Sequence, residues 1–147
     1  MDSKPGKLHI LFLLYLCGLF LVLFHREPYC SGLPYWEQVA SAVNLQPLRT
    51  IRLYLRLLQR GMLTKLALTN LLGNLILFLP LGAFLPTLFP GLRRLWKTLA
   101  ACTALIVVVE ISQVLLLLGS CDVDDLILNL LGASAGYGLA RIYRTKK

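Results

Sequence analysis

The sequence is poor in charged residues, and acidic residues are the scarcest of them. Of its 147 residues, 15% are charged and 57% are hydrophobic, with 7 Asp and Glu against 15 Lys and Arg. Soluble domains average about 45–50% apolar and about 25% charged residues. A single domain of this length cannot bury so much apolar surface within itself. The composition therefore disfavours a soluble enzyme and favours a basic membrane protein.

The sequence also lacks the short motifs that identify common catalytic and metal sites. It contains no G-x-x-x-x-G-K-[ST], no H-E-x-x-H and no G-x-S-x-G. His9 and His25 stand at opposite ends of one apolar stretch, and no two cysteines have C-x-x-C spacing. We expect no cofactor and no nucleic-acid partner. A disulfide between Cys30 and Cys121 stays open, because sequence cannot supply its geometry.

Four apolar stretches are each long enough to cross a bilayer, which takes about 20 helical residues. They predict transmembrane helices at approximately 8–24, 66–89, 98–118 and 123–143. The first stretch could instead be a signal peptide, but no A-x-A-like cleavage site follows it. We therefore predict an all-α integral membrane protein, a four-helix bundle in which residues 1–147 form a single domain.

The distribution of cations predicts the orientation of these helices. Arg93, Arg94 and Lys97 lie between the second and third stretches, whereas residues 119–125, between the third and fourth, contain no Lys or Arg. Cytoplasmic connections carry the excess of Lys and Arg in membrane proteins. Both termini are therefore predicted inside, and residues 25–65 and 119–125 outside.

The long first connection contains a helical pattern at approximately 45–63. Its arginines are spaced by 3, 4 and 4 residues, which places them on one stripe of a helix. The stripe consists of Arg49, Arg52, Arg56 and Arg60. We predict an amphipathic helix at the outer interface. The stripe could adhere to anionic lipid through snorkelling side chains, or it could bind phosphate or carboxylate through its guanidinium groups.

Seven amide and carboxyl residues lie in the outer halves of the predicted spans or at their outer edges. The candidate pocket residues are Asn70, Asn74, Glu110, Gln113, Asp122, Asp125 and Asn129. Because neighbouring spans run in opposite directions, these residues are predicted to converge on one outer-leaflet pocket whichever way the protein faces. Two structural alternatives stay open: Asp122 could simply cap a helix, and the asparagines could be interhelical hydrogen-bond residues.

Glu110 is the hardest of these residues to explain structurally, because a carboxylate inside a membrane needs a proton or a partner. The arginine stripe lies on the same predicted side, and we expect it to pair with the acids there. The cluster Asp122, Asp124 and Asp125 is a weak candidate site for a divalent cation such as Mg²⁺ or Ca²⁺.

Small residues in the fourth stretch predict close helix packing. Gly132 and Gly136 form a small-xxx-small pattern, which suits a contact within the bundle or between copies in a homo-oligomer. Pro80, in the second stretch, removes a helical hydrogen bond and predicts a kink.

Three blocks of sequence together resemble the VanZ-like family. They are Asn70-Leu-Leu-Gly-Asn74-Leu-Ile-Leu-Phe78-Leu-Pro80-Leu-Gly82, Glu110-Ile-Ser-Gln113, and the run from Asp122 to Tyr137. The resemblance covers roughly residues 45–143. It implies a small multi-pass protein of the bacterial cytoplasmic membrane, from a family associated with resistance to the glycopeptide teicoplanin. Carried over position by position, the family motif falls on Asn70, Asn74, Pro80, Gly82, Glu110, Gln113, Asp122, Asp125, Asn129 and Gly132. Family members often carry an Arg shortly before the acidic run, where this chain has Gly119-Ser120-Cys121.

These observations favour a binding protein over an enzyme. We expect the pocket and the arginine stripe to bind an anionic lipid, a lipid-linked cell-wall component or the lipoglycopeptide itself. Two alternatives stay open. The acids could serve an intramembrane metal-assisted hydrolase or transferase, or the buried Glu110 could serve a proton- or ion-coupled transporter.

Overall fold

The structure, a computed structural model, describes residues 5–145 and is predominantly helical. Its elements in chain order are α1 (Pro5–Phe24), α2 (Tyr35–Ser41), β1 (Val43–Asn44), α3 (Arg49–Gln59), α4 (Thr64–Leu88), a 3₁₀ turn (Pro90–Leu92), α5 (Leu95–Leu115), β2 (Cys121–Asp122) and α6 (Val123–Thr145). The architecture is that of an all-α membrane protein.

Three of these helices are long and apolar enough to cross a membrane. They are Gly6–Phe24 within α1, Thr64–Leu88 and Leu95–Leu115, with mean hydropathies of 2.3, 1.9 and 2.0. The fourth predicted span corresponds to α6, which has 23 residues. Because α6 contains several glycines, acids and arginines, it does not meet the same composition criterion, and its crossing of the membrane stays a prediction.

The predicted end of the third span was wrong by three residues, for a local backbone reason. Leu117 adopts a left-handed conformation (φ 56°) although the apolar pattern continues through Leu118. The Leu118 N–H donates to the Gln113 carbonyl at 2.8 Å, which closes the last turn in a Schellman-type cap. Hydrophobicity alone did not reveal this stop, and the helix predicted at 98–118 is shifted to Leu95–Leu115.

The amphipathic helix predicted at 45–63 is present but shorter, at Arg49–Gln59. Pro47 and the left-handed Leu48 (φ 63°) precede it. At its other end Gly61 (φ 64°) reverses the chain, and the Met62 N–H donates to the Leu57 carbonyl at 2.8 Å. Only the regular part between these two turns is helical.

Helices α4 and α6 form the closest helix pair of the bundle, because glycines remove side chains from their contact. A Cβ atom placed on Gly82, Gly132 or Gly136 would overlap the backbone carbonyls of Ala133, Leu75 and Leu79, respectively. The stripe predicted at Gly132 and Gly136 therefore packs within the chain, against α4. Packing of these glycines against α4 explains the small-xxx-small pattern without a contact to a second copy of the protein.

One hydrophobic core joins all four long helices. It contains Leu19 and Leu23 from α1, Phe78 and Leu81 from α4, Cys102 and Ile106 from α5, and Ala133 from α6. The Tyr15 hydroxyl also donates to the Leu77 carbonyl at 2.7 Å and attaches α1 to α4. All four cysteines are free, so Cys30 and Cys121 form no disulfide in this structure.

The two ends of the bundle differ in structure and charge. At one end, which we call the loop end, lie residues 25–63 and 116–122; their strands pair in parallel, Val43 with Cys121 and Asn44 with Asp122. All the acidic residues of the described chain lie at or near this end. They are Glu27, Glu37, Glu110, Asp122, Asp124 and Asp125. At the opposite end Arg144 donates to the Pro86 carbonyl at 2.8 Å. That carbonyl lacks its usual helical donor, because residue 90 is a proline.

The glycine contact predicts opposite effects for two neighbouring Gly→Ala substitutions in α6. Gly136→Ala should destabilise the protein by about 1–3 kcal/mol, because its methyl overlaps a backbone atom of α4. Gly138→Ala is the matched control, since its Cβ meets nothing within 4 Å. It should leave the stability unchanged or raise it by up to about 1 kcal/mol through better helix propensity. Thermal unfolding of the purified protein in detergent measures both. Equal midpoints for the two variants would show that this contact does not constrain the fold.

Candidate functional site

The carboxylate of Asp124 holds the start of α3 from a different helix. Its two oxygens accept the N–H groups of Leu48, Thr50 (2.7 Å) and Ile51 (3.0 Å), and the side chain is 0% exposed. The first N–H groups of a helix have no partner within it, and α3 has no side-chain cap of its own. An anion at a helix N-terminus is also favoured by the helix dipole. Asp124 therefore acts as the cap of α3, supplied by α6.

Asp122 links the same two segments while capping α6. Its Oδ1 accepts the Asp124 N–H at 2.9 Å, as expected for a helix N-cap. Its Oδ2 accepts the Thr50 hydroxyl and the Asn44 amide NH₂, the latter at 3.0 Å. The structural interpretation of Asp122 as a cap is thus part of its role, and the attachment of residues 44–50 is the other part.

A polar cavity of about 130 Å³ lies below these contacts, between α1, α4, α5 and α6. It is lined by Leu23, Arg26, Asn70, Asn74, Phe78, Val109, Glu110, Gln113, Gly119, Ser120, Asp125 and Asn129. The structure therefore brings six of the predicted pocket residues to one space. Asp122, the seventh, lies outside the lining, and its backbone N–H faces Glu110 Oε2 at 3.4 Å.

The polar side chains in the cavity wall are held by neighbouring helices. The Asn74 amide NH₂ donates to Asp125 Oδ1, which bridges α4 and α6. The Gln113 NH₂ donates to the Leu23 carbonyl at 2.8 Å, which bridges α5 and α1. The Asn70 NH₂ donates to the Leu66 carbonyl of its own helix at 2.9 Å. Because Glu110 and Gln113 are only 7% and 6% exposed, the wall is largely shielded from surrounding solvent or lipid.

Asn129 differs from the other amides in the wall because its side-chain oxygen is buried and accepts no hydrogen bond from the described residues. It is 3% exposed, and its Oδ1 has no hydrogen-bond donor among the residues that the structure describes. A buried carbonyl oxygen left without a donor costs about 1–3 kcal/mol. Such an atom in a cavity wall indicates a place where a guest can donate a hydrogen bond.

Arg26 is the cation that acts on the two carboxyl groups of the cavity. It lines the cavity, and its positive charge attracts both Glu110 and Asp125. We had expected the arginine stripe of α3 to pair with these acids, and the structure does not form those pairs. Within residues 5–145, no ion pair joins any of the four stripe arginines to an acid, and all four side chains are exposed.

The other side of α3 approaches the acids. Burial, together with the negative charges of Asp125 and Asp122, raises the pKa of Tyr54. In β2, burial and the negative charge of Glu110 raise the pKa of the Cys121 thiol, which therefore stays protonated at neutral pH. Helix α3 thus directs its tyrosine toward the site and its arginines away from the protein.

The weak metal candidates Asp122, Asp124 and Asp125 do not point to a common centre. One binds Asn44 and Thr50, one binds the start of α3, and one binds Asn74. In the described part of the chain, no group of three or more His, Cys, Asp or Glu side chains is placed to hold a metal ion.

Sequence reasoning missed four residues of this region: Asp124, Arg26, Asn44 and Thr50. The sequence predicts Asp124 as a weak metal candidate and as one of the acids opposite the arginine stripe, but not as the cap of a second helix. Arg26 lies in the segment 25–65 that is predicted outside, and its position directly after α1 is the available signal. Asn44 and Thr50 carry no sequence signal, because their contacts depend on how residues 25–63 fold back over the bundle.

The cap of α3 predicts a local effect for Asp124→Asn. The amide keeps the shape but loses the charge and one acceptor oxygen, and charge-assisted hydrogen bonds of this kind are worth about 1.5–3 kcal/mol each. Backbone amides of α3 should therefore exchange hydrogen at least about tenfold faster, while those of α4 stay protected. Glu37→Gln, an exposed acid at the same end, is the control. Unchanged exchange in α3 would show that Asp124 does not hold it.

Comparison with known proteins assigns the chain to a family. The family model described as VanZ/LLP1 matches residues 12–144, which run from within α1 nearly to the end of α6 and include every residue of the cavity wall. No curated protein and no solved structure matches the chain. The chain belongs to the VanZ/LLP1 family.

Proposed function

We propose that this protein is a multi-pass protein of the bacterial cytoplasmic membrane, with both termini inside and α6 as its fourth span. The loop end, with α3 at the interface, then faces outward. Three cations at the connection from α4 to α5 and in the first turn of α5 support this orientation, since Arg93, Arg94 and Lys97 lie at the opposite end from the acids. Two contacts support the fourth span, because they place the second half of α6 at the end opposite its start: the Tyr137 hydroxyl donates to the Arg93 carbonyl and Arg144 donates to the Pro86 carbonyl, both at 2.8 Å.

We propose further that the loop end binds an anionic amphiphile of the cell envelope or a lipoglycopeptide, and so contributes to teicoplanin resistance. The observation that carries this proposal is the free arginine face of α3. Arg49, Arg52, Arg56 and Arg60 are exposed on one side of a helix whose start is fixed by Asp124. A fixed row of guanidinium groups suits phosphate or carboxylate, which they bind through two parallel hydrogen bonds.

Binding suits the site better than hydrolysis does. Ser120 is a hydroxyl in the cavity wall, but no histidine of residues 5–145 lines that wall to activate it. The carboxylates bind separate partners, so they do not offer the joint metal coordination that an assisted hydrolysis requires. Reduced access of the drug to its target would follow from capture of the amphiphile or of the drug itself.

The proposal is tested by teicoplanin susceptibility in a bacterial host that carries this gene. Arg52→Gln with Arg56→Gln should lower the inhibitory concentration to that of the gene deletion. The physical reason is that each lost bidentate contact weakens binding about tenfold. The control is Arg94→Gln with Arg141→Gln, exposed arginines at the opposite end. It should keep normal resistance, because Lys7, Arg93, Lys97 and Arg144 still mark that end.

Two outcomes would contradict the proposal. The first is normal resistance in the Arg52→Gln and Arg56→Gln variant at wild-type membrane levels. The second is unchanged susceptibility when the gene is deleted. Quantifying the membrane-inserted protein by immunoblotting in every strain separates loss of binding from loss of protein.

A further inference from the structure

Three of the four amide side chains in the cavity wall donate a hydrogen bond to the protein itself. Asn70 donates to the Leu66 carbonyl, Gln113 donates to the Leu23 carbonyl, and Asn74 donates to a carboxylate. Since each of these partners can only accept, each amide must turn its NH₂ toward the protein. The atoms left for a guest are therefore the amide oxygens.

Apart from the Arg26 guanidinium and the Ser120 hydroxyl, the other polar side chains of the wall also offer acceptor oxygens. Glu110 and Asp125 each engage one oxygen with the protein, and the second oxygen of each has no donor among the residues that the structure describes. Asn129 Oδ1 is buried and has no donor within residues 5–145. These oxygens lie in the wall of one space of about 130 Å³. A guest that satisfies them must carry several N–H or O–H donors.

The charges in the cavity wall indicate which kind of hydrogen-bond donor a guest should carry. Two carboxyl groups line it against one guanidinium, that of Arg26. A second positive charge in the cavity would allow both acids to be ionised beside Arg26. Burying charge without compensation is costly, so a cationic donor fits the site better than a neutral one. A primary ammonium supplies both the charge and three donors.

The size and the mouth of the cavity fit a small headgroup. A volume of about 130 Å³ corresponds to roughly four waters at about 30 Å³ each, which is enough for an ammonium and its adjoining methylene groups. The exposed members of the lining, Arg26 and Ser120, belong to the connections rather than to the helices. A phosphate next to such an ammonium would lie beside Arg26, while the ammonium enters toward Asn129.

We propose that this cavity, which is separate from the arginine face of α3, binds the primary ammonium of a phosphate-bearing amphiphile. The recognised unit is an alkylammonium joined to a phosphate ester, as in the headgroup of phosphatidylethanolamine. A quaternary ammonium has the charge but no N–H donors, and a phosphoglycerol has hydroxyls but no positive charge. The site distinguishes these three headgroups by chemistry rather than by size alone.

Native mass spectrometry of the full-length protein in detergent tests this assignment directly. The protein is exchanged into equal amounts of dioleoyl phosphatidylethanolamine, phosphatidylcholine and phosphatidylglycerol, and the retained lipid is counted. Wild type should retain phosphatidylethanolamine over phosphatidylcholine about tenfold or more, since charge-assisted hydrogen bonds to the ammonium are lost with choline. Free ethanolammonium should compete for the same site if the amine alone is recognised. Failure of free ethanolammonium to compete, with the lipid preference intact, would assign recognition to the joined phosphate and amine.

Matched variants separate the cavity from the arginine face. Glu110→Gln with Asp125→Asn keeps the shape of the wall and should abolish the preference for phosphatidylethanolamine. Arg52→Gln with Arg56→Gln should keep it, because these side chains do not line the cavity. Folding is checked by the thermal midpoint of each variant, and Asn129→Asp provides a second test, since added negative charge should strengthen ammonium retention.

Three results would overturn the assignment. They are equal retention of phosphatidylethanolamine and phosphatidylcholine, retention of no lipid above background, and a preference that persists in the Glu110→Gln and Asp125→Asn variant. The test is independent of drug resistance. If the protein prefers phosphatidylethanolamine but does not change teicoplanin susceptibility, the assignment of this cavity stands and the proposed function is wrong.

Discussion

The close approach of α4 and α6 is the contact on which the rest of the structure depends. Gly82, Gly132 and Gly136 bring one backbone against the other, and no side chain larger than hydrogen fits there. In a bilayer, where helices gain nothing by hiding apolar surface from lipid, such packing is a main source of association. The contact sets the height of α6 against α4 and so brings Asn74 to Asp125. The same contact also sets the position of Asn129, which lies one helical turn after Asp125.

Three neighbouring carboxylates at the start of α6 have three different roles. Asp122 caps its own helix and holds Asn44 and Thr50, Asp124 caps α3, and Asp125 faces the cavity. This division depends on helical geometry, in which successive residues point about 100° apart. It also explains the charge pattern of the chain. Backbone N–H groups and the side chains of Asn44, Thr50 and Asn74 bind the aspartates, and Arg26 is the cation nearest the cavity acids, so the arginines of α3 face outward.

Much of the fold could be predicted from sequence because long apolar stretches indicate membrane helices. The lengths of α1, α4 and α5 follow from them, whereas the end of α5 at Leu115 depends on a left-handed Leu117 that no hydrophobic pattern marks. The gathering of Asn70, Glu110 and Asn129 was predictable because neighbouring helices alternate in direction. The partners of the acids were not predictable. They depend on how residues 25–63 fold over the bundle, and this tertiary arrangement brings Arg26 to the site in place of the α3 stripe.

The cavity needs a hydrogen-bond donor. The clearest evidence for this is Asn129 Oδ1, which is buried and has no donor among the described residues. The most direct measurement is an experimental structure of the full-length protein in bilayer nanodiscs containing phosphatidylethanolamine, at a resolution that separates individual waters. The account predicts a headgroup nitrogen within hydrogen-bond distance of Asn129 Oδ1 and of the Asp125 carboxylate, with its phosphate beside Arg26. Waters alone bonded to Asn129, with no headgroup in the cavity, would contradict it.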